Sequence, residues 1–159
     1  MFTKKNVLRG IMLLVVSFAC HVAQAVGNPA VLFSDSKGAK PQNMPKNIDD
    51  ARVGYVRANI GALFNSNWKK PKSKDQLPEI RFDLFPGISF MGVVTYAEHY
   101  ADAGIGHWEG VLKNEKGQFS VSASKDGIVS SVRTEKKGTF EINCDKSYLC
   151  KIAELDTKK

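Results

Sequence analysis

Beyond residue 50 the chain alternates apolar and polar positions with a period of two. Ile80, Phe82 and Leu84 alternate with Arg81 and Asp83 and stop at Pro86-Gly87, which reads as a strand with one face in the core and one in water. The run from Ile88 to Tyr100 is apolar at both parities, with Phe90, Val94 and Tyr96 set against Met91, Val93 and Ala97. This predicts a long central strand covered on both sides. Trp108, Gly110 and Leu112 then share a face, followed by a turn at Asn114-Glu115-Lys116-Gly117. Phe119, Val121 and Ala123 lead to Lys125-Asp126-Gly127, and a strand over residues 128–133 leads through Lys136-Lys137-Gly138 to Phe140 and Ile142. Asp126-Gly127 is the clearest hairpin signal, because the tight turn needs a positive φ that glycine adopts without steric cost. Ser120, Ser122 and Ser124 fall between apolar residues and are assigned to the wet face.

No helical period longer than two turns follows residue 65. The pattern therefore predicts an all-β domain, a single antiparallel meander forming a curved sheet, a sandwich or an open barrel. Upstream, Val53, Tyr55 and Arg57 read as a strand, while residues 58–64 read either as its continuation or as the start of a short helix. Residues 26–50 hold Gly27, Pro29, Gly38, Pro41 and Pro45, with Val31, Leu32 and Phe33 as their main apolar group. They are expected to form a loosely ordered leading segment containing at most one edge strand. The β domain is expected to span residues 51–159.

The first 25 residues set the compartment. Lys4, Lys5 and Arg9 precede an apolar run over residues 11–19, and Ala23-Gln24-Ala25 is a small-x-small cleavage site, so residues 1–25 read as a secretory signal peptide. The run is too short and too interrupted for a membrane span. A competing reading makes Cys20 the lipid-bearing residue of a lipoprotein, although Ser17-Phe18-Ala19 fits that processing site poorly. Either reading places the protein outside the cytoplasm, secreted or periplasmic. Three of the 23 basic and none of the 16 acidic residues lie in the signal, leaving 20 against 16 and a net charge of +4. That balance is ordinary solubility and gives no nucleic-acid footprint.

Cys144 and Cys150 bracket a polar turn, and in an exported chain they are expected to form a disulfide across a hairpin; two free thiols, a metal site or a redox role are the alternatives. His99, Asp102, His107 and Glu109 have ligand chemistry, and a hairpin closing between Tyr100 and Gly106 would bring His99 opposite His107 and Glu109. Their spacing matches no metal motif, so neither metal nor cofactor is expected. No nucleophile elbow, zincin helix or phosphate loop occurs in the chain, and the expectation is a protein that is not an enzyme. Loops on a rigid sheet are where recognition usually sits. The candidate partner contacts are therefore Tyr100, Asp102 and His107 around one turn, and Lys70 and Lys72 in the basic stretch Lys69-Lys70-Pro71-Lys72-Ser73-Lys74. An alternative, small-ligand reading would line a cavity with Trp68, Trp108, Phe90 and Tyr96.

Trp108-Glu109-Gly110, Gly117-Gln118-Phe119-Ser120-Val121, Gly127-Ile128-Val129-Ser130-Ser131-Val132-Arg133, Phe140-Glu141-Ile142 and Glu154-Leu155-Asp156 follow one another in order. This series resembles the end of the pro-region of secreted bacterial zinc metalloprotease precursors of the reprolysin-like type. The likeness extends more faintly to residues 52–63 and 80–86. In such precursors a catalytic domain follows, whereas here Asp156 is followed by Thr157-Lys158-Lys159. The resemblance thus implies the module's own work rather than catalysis: helping a secreted metalloprotease to fold, or holding it inactive, by strand addition to a sheet edge or by inserting a loop. Cys144 and Cys150 are not part of the matched pattern.

Overall fold

The structure, a computed structural model, describes residues 29–35, 38, 50–64 and 77–155. Residues 1–25, read as a signal peptide and including Cys20, lie outside the described residues, as do Trp68, Lys70 and Lys72. Within them the chain forms β1 (Ala30–Asp35), β2 (Asp50–Ala58), β3 (Glu79–Phe85), β4 (Ile88–Tyr100), β5 (Ile105–Leu112), β6 (Gly117–Ser124), β7 (Gly127–Thr134), β8 (Gly138–Cys144) and β9 (Leu149–Leu155). Single 3₁₀ turns at Ile60–Ala62 and Ala101–Ala103 complete the described elements.

The all-β expectation holds, and the sheet is curved as expected. It goes further and closes into a barrel in the order β1-β2-β9-β8-β7-β6-β5-β4-β3. From β3 to β9 the strands are an antiparallel meander, but the whole is not one meander. β2 crosses to pair with β9, and β1 runs antiparallel to β2 and parallel to β3. The strand anticipated at an edge in the leading segment therefore has neighbours on both sides, and its Leu32 and Phe33 are fully buried.

Alternation places the core. Ile80, Phe82 and Leu84 point inward, as do Phe119 and Val121, Ile128 and Val132, and Phe140 and Ile142. Aromatic rings fill the interior in tilted pairs, with Phe82 6.0 Å from Phe33 and 5.0 Å from Phe119, and Phe90 5.4 Å from Phe140. The rings fit because the wall beneath them lacks side chains. Phe119 lies across Gly92 of β4 and Gly110 of β5, and a methyl group at Gly110 would come within 2.6 Å of that ring as well as striking the Val93 carbonyl.

Inside the hairpin that joins β8 to β9, the expected Cys144–Cys150 disulfide is present. Asp145 organises its turn: one carboxylate oxygen accepts from the Ser147 hydroxyl at 2.6 Å and from the Ser147 and Leu149 amides at 2.8 and 3.3 Å. Tyr148 adopts a left-handed φ of 59°, and its carbonyl accepts the Ala58 amide at 2.9 Å, which ties the hairpin to the end of β2. Further along the same strand pair, Lys151 and Asp50 form a buried ion pair at 2.8 Å.

The run from Ile88 to Tyr100 departs from its expectation of cover on both faces. A barrel wall has one inside, so Phe90 and Val94 are buried while Met91 and Val93 on the outside are only partly covered. A bulge between Val94 and Tyr96 then leaves Thr95 as an extra residue and reverses the parity of everything after it. Tyr96, read with the inward set, consequently faces out.

Gly110→Ala is expected to destabilise the fold by about 1–3 kcal/mol through overpacking, seen as a lower urea midpoint; an unchanged midpoint would contradict the ring-on-glycine packing. Reducing the disulfide should cost about 2 kcal/mol on chain-entropy grounds. Hydrogen bonds from Ser147 hold the Asp145 carboxyl below its ordinary value. Its contribution to stability is thus present above the unfolded-state pKa of about 3.9 and is lost as pH falls through the lower folded-state value. Asp145→Asn should flatten that acid limb in a plot of stability against pH.

Candidate protein-binding face

Past Val94, strand β4 outruns its neighbour. The last pairing with β3 is Glu79↔Val93, followed by the Val94 amide donating to the Pro78 carbonyl at 2.9 Å. Residues 95–100 continue as strand, and among the described residues they pair only with β5. With Val94 directing its N–H toward β3 and one extra residue in the bulge, the backbone groups of Ala97 and His99 fall on that same open side. Thr95, Tyr96, Ala97 and Glu98 are all exposed, as expected for a ribbon wetted on both faces.

The outer face of this ribbon is aromatic and acidic. Tyr96 is 49% exposed and Tyr100 63%; with Ile105, Val111 and Val129 they are the exposed large apolar side chains of the described residues, and all five lie on the outer surface of β4, β5 and β7. Cross-strand register sets Tyr100 opposite Ile105, and one outer row runs Glu98, His107, Ser122, Val129. Both tyrosine hydroxyls donate to Glu98, Tyr96 to Oε2 at 2.8 Å and Tyr100 to Oε1 at 3.1 Å. These bonds, with that from Tyr96 the larger, hold the Glu98 carboxyl below its ordinary range. In return, the same bonds and then the Glu98 charge push both tyrosines above their ordinary value of 10.0.

His107 bridges Ser122 Oγ at 2.8 Å through Nδ1 and Glu109 Oε1 at 2.9 Å through Nε2. His99 does not join them. The parity change turns it inward opposite Gly106, where it stacks on Trp108 with ring centroids 5.9 Å apart. Phe64 meets the same indole edge-on at 5.3 Å and closes this end of the barrel beside the fully buried Leu63. Among the described residues no group of three or more His, Cys, Asp or Glu is placed to hold a metal ion.

Of the candidate contacts read from sequence, Tyr100, Asp102 and His107 share the β4–β5 hairpin, with Asp102 exposed in the turn Ala101–Ala103. Sequence reasoning missed Glu98 and Ser122, and it placed Tyr96 in a cavity. The signal available was Tyr96, Glu98 and Tyr100 at spacing two, masked by the apolar run before it. The proposed cavity aromatics Trp108 and Phe90 are packed in the core, at 0% and 3% exposure. At the opposite end of the barrel, a shallow cleft of about 320 Å³ lies among the turns, lined in part by Phe90, Leu112, Asn114 and Lys137.

No family model matches the chain, and no curated protein matches it. Its fold is similar to that of a solved structure described as "Structure of a chaperone-substrate complex", with a TM-score of 0.53 and 14% identity over 79% of this chain and 86% of that one. At such low identity the likeness is one of fold alone.

The tyrosine–glutamate cluster predicts a titration. Ultraviolet-monitored titration should show Tyr96 and Tyr100 ionising above the ordinary tyrosine value, assigned by Tyr→Phe variants at each position, and Glu98→Gln should move both downward. Superimposable wild-type and variant curves would contradict the cluster.

Proposed function

We propose that this chain is an exported, non-enzymatic β-barrel domain that binds another protein along the edge of β4 past Val94, which no described strand covers, and the tyrosine face beside it. The observation that carries this reading is residues 95–100, strand backbone paired on one side among the described residues and bearing Tyr96 and Tyr100 in the open. An unpaired edge offers a row of N–H and C=O groups to an incoming strand, and main-chain hydrogen bonds supply affinity in that mode. Tyrosine is enriched in interface hot spots because it combines a large apolar body with a polar tip. A core filled with rings leaves the barrel interior little space for a small ligand.

Chemistry at the His107 bridge is disfavoured on physical grounds. Ser122 lies mid-strand between β5 and β7, where neighbouring backbone amides are committed to the ladder and are not free to stabilise an oxyanion. The Cys144–Cys150 disulfide fits an oxidising compartment, in line with the signal sequence.

The partner class follows from the pro-region resemblance: a secreted metalloprotease, bound in trans by an inhibitor or folding helper. That a similar fold occurs in a structure described as a chaperone-substrate complex is compatible with protein binding and does not select the partner.

Mixing the purified protein with the metalloproteases secreted by its own organism should give a complex on size exclusion and a change in protease activity or refolding yield. Ala97→Pro, which removes an edge-facing N–H, should abolish the complex with the fold retained by circular dichroism. Ala97→Lys, a milder edge block, serves if the proline variant does not fold. Tyr100→Ala should weaken binding roughly tenfold. No complex and unchanged protease activity would overturn the protease assignment.

A further inference from the structure

An added strand beside residues 95–100 would extend the barrel wall, so its side chains must alternate as the wall does. Those pointing inward would lie next to Ala97 and His99, close to Phe64 and Trp108, where the environment is apolar and Ala97 leaves room. Those pointing outward would lie along Tyr96, Glu98 and Tyr100.

The centre of that outward row carries a carboxylate that no lysine or arginine pairs among the described residues, with His107 opposite it on β5 as the cationic influence on it. Carboxylates elsewhere on the barrel have basic partners: Lys113 with Glu79, Lys137 with Glu115, Lys116 with Glu135 and Arg81 with Asp83. Glu98 has no such partner among the described residues; its oxygens receive two tyrosine hydroxyls, which fix the carboxylate in place and leave its charge outward between two rings. Glu109 and Asp102 add negative charge on the same hairpin, and His107 is engaged with Glu109 and Ser122.

We infer that the β4 edge selects an extended segment of another protein that alternates apolar residues with a central arginine or lysine, the cation seating on Glu98 between Tyr96 and Tyr100. The inference rests on the protein-binding reading above and specifies its chemistry. Two aromatic faces flanking a carboxylate suit a guanidinium in particular, which stacks on rings while it pairs with oxygen. The same charge disfavours a second copy of this chain. An antiparallel pairing centred on Glu98 would set Glu98 directly against Glu98, and like charges in that position destabilise a pair. With the bulge at its start, this charge makes the edge selective rather than generally adhesive.

The test uses the full isotope-labelled protein and three capped nine-residue peptides. Each has valine at alternate positions and threonine between, with arginine, glutamine or glutamate at the central intervening position. Amide shift titrations should show binding mapped to residues 95–100, with the arginine peptide about two- to fivefold tighter than glutamine and glutamate weakest. The gap should narrow in high salt. Glu98→Gln should equalise arginine and glutamine without losing binding, and Glu98→Lys should reverse the order. Ala97→Pro or Ala97→Lys should remove binding of all three.

Equal binding of the three peptides by the wild-type protein would overturn the basic-partner inference and leave edge binding standing. Binding that survives both edge-blocking variants would overturn the edge itself. Concentration-dependent dimers in sedimentation that Ala97→Lys abolishes would assign the edge to a second copy and overturn the inference.

Discussion

Aromatic rings laid on glycines determine how tightly this barrel closes. Phe119 occupies the space that side chains at Gly92 and Gly110 would fill, and Trp108 lies over Gly106 in the same way. Three bare positions on β4 and β5 let two large rings enter a narrow interior at the close packing that protein cores require. The packing also has a functional consequence. A barrel filled by its own side chains has its recognition surfaces outside, on faces, turns and whatever edge the closure leaves.

Among the described residues, β4 outlasts its pairing with β3. β3 begins opposite Val93, while β4 runs on to Tyr100, and the bulge at Thr95 marks the point where the strand leaves its neighbour. The extra residue exchanges the two faces of the strand. Before it Phe90 and Val94 look inward; after it His99 looks inward and caps Trp108, while Tyr96, Glu98 and Tyr100 form an outward row. Exposed strand edges invite indiscriminate pairing, and proteins commonly blunt them with bulges and charge. Here both devices are concentrated in a few residues and accompanied by two exposed tyrosines, a combination more suited to choosing a partner than to repelling all of them.

Much of this architecture was legible from residue order because it depends on local pattern. The alternation of Ile80, Phe82 and Leu84 identified β3, the glycine turns separated β5 to β8, and the cysteine spacing identified the hairpin disulfide. Features set by contacts remote in sequence were not legible. Nothing near Leu32 indicates that its strand will lie parallel to β3 some fifty residues later, and the Asp50–Lys151 pair spans 101 positions. The bulge was the decisive hidden feature. A shift of one residue moves every following side chain to the opposite face, so Tyr96 was assigned to the interior and His99 to the same side as His107. Tyr100, Asp102 and His107 are legible as neighbours because one short turn joins them, whereas the setting of Glu98 depends on the register that brings two tyrosine hydroxyls to it.

Amide hydrogen exchange across β4 tests the free edge most directly, since strand geometry imposes an alternation that no general flexibility would produce. In the unbound protein the amides of Tyr96, Glu98 and Tyr100, directed at β5, should be protected, while those of Ala97 and His99 exchange rapidly. Uniform protection of all five would mean that the edge is already occupied, and would contradict the account.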